Sequence, residues 1–166
     1  MFAAAAVLAG CGSSKPRTPP KEQVAHVRWR EAGRPPGLEG KLVVSVETIR
    51  IGPGGWTVRG SVSNETRTPL SILPRAHSPG RTGFGVIVTT RGSSLDELPP
   101  GAAPALATRI RPATPVVLQP GEAWNGSFSG PHRIDAGTIA HAVFGDLGTP
   151  TAHRFQFITD HGYRVK

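Results

Sequence analysis

Six histidines are the first residues to consider for chemistry in this 166-residue chain: His26, His77, His132, His141, His153 and His161. They are scattered, with no His-Glu-x-x-His motif and no pair at metal-ligand spacing within one element. No metal is expected. His141 shares a strand face with Ile139 and Val143, so it reads as a packed, hydrogen-bonded histidine; the alternative joins it with His153 and Asp146 in a site assembled from distant residues, serving an enzyme or a small-ligand carrier. Nucleophilic catalysis needs an activated hydroxyl with a base and an oxyanion hole. Neither Gly-x-Ser-x-Gly nor Ser-x-x-Lys occurs, and Gly92-Ser93-Ser94 and Gly126-Ser127 read as loop and strand-face serines. Asp96 and Glu97 are adjacent in a loop, which does not place two carboxylates on either side of a glycosidic bond. Gly52-Pro53-Gly54-Gly55 leads into a strand rather than a helix, so it is a turn and not a phosphate loop. No enzymatic activity and no cofactor are expected.

Cys11 is the sole cysteine, which rules out an intramolecular disulfide and a thiolate metal cluster. It closes the apolar run Met-Phe-Ala-Ala-Ala-Ala-Val-Leu-Ala-Gly, too short for the roughly 20 residues of a membrane span but suited to the hydrophobic region and cleavage end of a secretory signal. Leu8-Ala9-Gly10-Cys11 resembles the bacterial lipobox. That resemblance implies cleavage before Cys11, acyl chains on its sulfur and nitrogen, and residence on the extracytoplasmic face of the cell membrane. Two or more acyl chains give stable anchoring where one is marginal. No Lys or Arg precedes the apolar run, so the true start is expected upstream of Met1. A Cu(I) site is disfavoured, because Met1, the lone methionine, leaves with the signal and Cys11 is acylated.

The formal charge is +8, and residues 1–41 carry seven basic against three acidic side chains, half of the whole excess. A nucleic-acid reader concentrates its Lys and Arg on the folded domain, often with aromatics between them. No nucleic-acid partner is expected; the basic, Pro-rich stretch 11–41 reads as a tether whose nearer partner is anionic lipid headgroups or an anionic envelope polymer. Within it, residues 23–30 carry Val24, Val27 and Trp29, and a solvated linker is preferred slightly over an edge strand docked on the domain.

From Lys41 the apolar pattern has period two. Leu42, Val44 and Val46 alternate, then the phase slips to Ile49 and Ile51, as a β-bulge near Glu47-Thr48 produces. After the glycine turn, Trp56, Val58, Gly60 and Val62 fall on one face, as in a hairpin partner. Further strands are expected over 70–73, 84–90, 107–111, 115–118, 123–129, 138–147 and 153–158. With 21 Gly and 17 Pro punctuating them, and no long helical stripe, residues 42–166 read as an all-β sandwich of seven to nine strands.

Trp56 to Asn64 followed by Thr68-Pro69-Leu70, and Leu118-Gln119-Pro120-Gly121-Glu122 followed by Trp124 and Phe128, resemble strand and turn motifs of immunoglobulin-like domains in bacterial lipoproteins of actinobacterial type. The resemblance implies a fold and leaves the activity open. Asn64-Glu65-Thr66 and Asn125-Gly126-Ser127 match the N-glycosylation pattern and are assigned no role. Two loops, 75–83 and 92–105, flank the strand around Val86; the second carries Leu95, Asp96, Glu97 and Leu98, a candidate epitope for a protein partner. The composite expectation is a signal over 1–10, a lipidated tether over 11–41, and a non-enzymatic β-sandwich that binds or assembles another envelope component.

Overall fold

The computed structural model describes residues 19–72, 83–90, 95–97, 103–149 and 154–166. Their strands are β1 (Gln23–Gly33), β2 (Gly40–Gly52), β3 (Gly55–Thr66), β4 (Leu70–Ile72), β5 (Gly85–Thr89), β6 (Ala105–Leu106), β7 (Arg109–Arg111), β8 (Val117–Leu118), β9 (Ala123–Gly130), β10 (Ile139–Gly148), β11 (Arg154–Ile158) and β12 (Tyr163–Arg164). They form the expected sandwich of two antiparallel sheets. The first has the order β1-β2-β3-β9-β7; the second runs β6-β5-β10-β4-β8, with β11 and β12 also paired to β10.

The β2–β3 hairpin follows the sequence pattern closely. Gly52 pairs with Gly55 across the Pro53-Gly54 tip, and the register slips between Val46 and Thr48, leaving Glu47 as the extra residue of a bulge. Opposite that bulge sits Gly60, where a Cβ atom would lie 2.1 Å from the Ser45 carbonyl oxygen and 3.3 Å from Cζ of Phe144. Only glycine lets the bulged strand and the facing phenylalanine approach this closely. The inward residues Trp56, Val58 and Val62 are buried as the alternation requires.

Two regions depart from the sequence reading. Residues 23–30 are not a solvated linker: they belong to β1, an eleven-residue edge strand paired with β2 from Gln23↔Ile51 to Gly33↔Leu42. The folded unit therefore starts well before residue 42. Val24 and the charged Arg28 and Arg30 point outward while Ala25, Val27, Trp29 and Glu31 are half-buried, an alternation that continues across a bulge in the pairing where Arg28 has φ 54°. The low apolar content, not a break in period, hides the strand from a periodicity reading. The stretch 107–111 is also not one strand. Its neighbours β6 and β7 lie in different sheets, with Ala107 N–H bonded to the Phe84 carbonyl and Thr108 N–H to that of Ser129. These two regions, with the short β12, raise the strand number to twelve among the described residues.

The sheets are joined by edge-to-face aromatics. Phe84 and Phe144 from one side meet Trp124 and Phe128 from the other at centroid distances of 5.2 to 5.4 Å, and Trp56 extends the cluster through Phe128. Each pair contributes about 0.5–1.5 kcal/mol beyond its area burial.

Candidate functional site

The end of β3 at Asn64 and the 118–122 turn meet at one end of the sandwich and form a polar lock. Asn64 is fully buried. Its Nδ2 donates both hydrogens, to the carbonyls of Thr68 and Leu118, each at 2.9 Å. Its Oδ1 accepts from Thr66 N–H at 3.0 Å and lies 2.7 Å from the Thr66 hydroxyl. The backbone adds Asn64 N–H to the Glu122 carbonyl and Gly121 N–H to the Asn64 carbonyl. In the turn, Glu122 N–H reaches the Gln119 carbonyl, and Gly121 has φ 82°, the value that a Pro-Gly type II turn requires. These motifs are thus structural, and Asn64 has no free amide hydrogen for any other partner.

The structure does not bring His141 and Asp146 together. His141 is buried, its Nδ1 lies 2.9 Å from the Thr159 carbonyl, and Nε2 lies 3.4 Å from the Thr89 hydroxyl. A carbonyl accepts only, so Nδ1 carries a proton and donates it to Thr159. Asp146 instead forms an ion pair with Arg154 on β11. Five residues of strand separate His141 from Asp146, about 16 Å along the backbone. His153 lies outside the described residues. Among the described residues, no group of three His, Cys, Asp or Glu side chains is placed to hold a metal.

A second polar cluster ties β1 to the C-terminal strands. The Glu31 carboxylate accepts from the backbone N–H groups of Asp160 (2.8 Å) and His161 (3.0 Å) and pairs with His161 Nδ1 at 2.7 Å. The His161 ring stacks on Trp29 with centroids 5.7 Å apart. Gln23 accepts from the Tyr163 hydroxyl at 2.8 Å and from Lys166 N–H at 3.1 Å. Each contact spans more than a hundred residues of sequence and closes the sandwich along one side.

The outer face of the five-stranded sheet carries arginines among hydroxyls. Pairing register places Val24, Arg50, Thr57, Ser129 and Arg109 in one cross-strand row, and His26, Thr48, Arg59, Ser127 and Arg111 in the next. Arg59 pairs with Glu47 at 3.0 Å and Arg50 with Glu22. Arg109 and Arg111 are exposed and have no ion-pair partner among the described residues. A concavity of about 610 Å³ lies at one end of this face, lined by Glu22, Arg50, the 52–55 turn, Thr57, Arg109 and Ser129. None of these arginines was singled out in the sequence. Their outward place in the period-two alternation is the signal that marks them, but the pairing that gathers them is long-range.

Of the loop residues, Leu95 to Glu97 form one turn of 3₁₀ helix with Leu95 half-buried and Asp96 exposed. Leu98 and the residues Leu8, Ala9, Gly10 and Cys11, which resemble a lipobox, lie outside the described residues. No helix of the described residues is long and apolar enough to cross a membrane. Comparison of the chain with protein-family models, with curated proteins and with solved structures finds no match, so the functional argument rests on this chain's own residues.

Proposed function

We propose that the chain is a lipoprotein of the bacterial cell envelope, held by acyl chains on Cys11, whose sandwich binds or organises an envelope protein partner without turning over a substrate. The observation that carries the reading is the lipobox Leu8-Ala9-Gly10-Cys11 standing only twelve residues before the first paired residue of β1, Gln23. Twelve residues span at most about 43 Å when fully extended. The anchor thus keeps the sandwich near the bilayer, where a partner must also lie. The hydroxyl- and arginine-bearing sheet face supplies a polar, open surface suited to recognition.

The test is the mass of the N-terminal peptide of the mature chain purified from a bacterial envelope. A diacylglyceryl thioether on Cys11, with the chain moving to the soluble fraction on Cys11→Ala, is the expected result. An unmodified Cys11 in the mature chain would refute the anchoring. Turnover of a peptide, ester or glycan that a single substitution abolishes would refute the non-enzymatic assignment.

A further inference from the structure

We infer that the end of the sandwich where the chain enters β1, carrying Lys21, Arg50, Arg109 and Lys166, seats the domain on the anionic lipid headgroups of its own membrane. This rests on the lipid-anchored reading of Cys11 and goes beyond it by naming the face that meets the bilayer.

Three observations converge. The first is position. The Gln23 carboxamide donates to the carbonyls of Lys21 and Lys166, both at 3.1 Å, so these two lysines flank the point of entry. Glu22 pairs with Arg50, and both line the concavity that Arg109 borders on its far side. The second is charge. These four basic residues stand against Glu22, a net of +3, whereas the opposite end sets Arg30, Arg34, Lys41 and Arg67 against Glu39, Glu65 and Glu122, a net of +1, with Arg30 and Lys41 both at Glu65. There, Arg67 pairs with Glu39 and Lys41 with Glu65. The positive excess is therefore concentrated at the entry end. The third is reach. The twelve residues from Cys11 bring the entry end within about 43 Å of the anchor, while the twelve residues of β3 set the opposite end about 40 Å further along the sheet.

The chemistry of the surface fits lipid phosphates. Arginine forks bind phosphate oxygens bidentately, and Arg50 and Arg109, three strand spacings apart, are about 14 Å from each other at their Cα atoms, enough to engage separate headgroups. Thr57 and Ser129 lie between them in the same row. Val24, 55% exposed, stands beside Arg50 and adds an apolar contact. Because the attraction decays within a Debye length of about 8–10 Å, it acts only once the tether has brought the face close.

The test uses the full chain with Cys11→Ala, sedimented with phosphatidylcholine vesicles containing or lacking phosphatidylglycerol. Binding is expected to require the anionic lipid and to be lost in high salt. The triple variant Arg50→Gln/Arg109→Gln/Lys166→Gln is expected to lower partitioning about fivefold per residue, roughly a hundredfold in all. The matched triple Arg34→Gln/Lys41→Gln/Arg67→Gln at the opposite end should stay within about twofold of the parent chain. All six side chains are exposed, and the single variant Arg109→Gln, which breaks no ion pair among the described residues, gives a fivefold reading independent of folding. Equal losses from the two triples, loss only when Lys15 and Arg17 are neutralised, or no preference for anionic vesicles would each overturn the inference. Tighter retention on immobilised alginate, lost with the same three residues, would assign the face to an envelope polymer and overturn the lipid assignment. The chain tested has no acyl group, so this result is independent of the Cys11 mass measurement that decides anchoring.

Discussion

Replacing Asn64 with alanine is the sharpest probe of the lock between β3 and the 118–122 turn. The side chain is fully buried, and its removal leaves the Thr66 N–H without its partner. The Leu118 carbonyl keeps its place in the β4–β8 ladder, and the Thr68 carbonyl retains a contact to the Thr66 hydroxyl at 2.9 Å. One orphaned buried group at about 1–3 kcal/mol, plus two weakened carbonyls and the vacated volume, gives a loss of about 2–4 kcal/mol. That is a large part of the roughly 5–15 kcal/mol by which a domain is stable. Urea unfolding followed by tryptophan fluorescence should show a lower midpoint at unchanged slope, and a thermal scan should show a fall of about 10 °C. Asn64→Asp should cost at least as much, since a carboxylate oxygen then faces the Thr68 and Leu118 carbonyls without a hydrogen to donate. A double-mutant cycle with Thr66→Val should return a coupling of about 0.5–3 kcal/mol. A loss below about 1 kcal/mol for Asn64→Ala, with the slope unchanged, would refute the view that these motifs act as a structural lock.

The clasp between β1 and the C-terminal strands predicts that Glu31→Ala lowers stability by about 2–3 kcal/mol, because the carboxylate accepts two backbone N–H groups and pairs with His161. Hydrogen exchange should accelerate first along residues 23–33; unchanged protection there would show that β1 is held by its ladder to β2 alone. Gly60→Ala places a methyl 2.1 Å from the Ser45 carbonyl oxygen and should cost about 2–4 kcal/mol by forcing the bulge open. A neutral effect in equilibrium unfolding would mean that the β2 bulge yields without strain.

The β2–β3 hairpin was legible from the chain alone because its information is local. A phase slip between Val46 and Ile49, a glycine turn, and strict alternation after Trp56 specify bulge, reversal and buried face without reference to any distant residue. The Pro120-Gly121 turn was legible for the same reason, and so was His141 as a packed residue among apolar neighbours. The edge strand β1 was only half legible. Its sequence mixes Arg28, Arg30 and Glu31 with few large apolar residues, and what holds it is a ladder to β2 and contacts to Trp29, Glu31 and Gln23 from residues more than 120 positions away. The split of 107–111 between two sheets was hidden likewise, since the change of sheet at Ala107 and Thr108 is set by their backbone bonds to Phe84 and Ser129, both distant in sequence.

The candidate surface shows the same division. Composition and spacing by themselves determined an all-β sandwich, a basic chain, and the Cys11 context that motivates the anchor. Which arginines share a face depends on strand order. Arg50 and Arg109 are separated by 59 positions and meet across one concavity because β3 and β9 lie between their strands. Only the tertiary structure decided this, because cross-strand neighbours are set by hydrogen-bonded pairing between distant segments, whereas sequence periodicity reports only which side of its own strand a residue occupies.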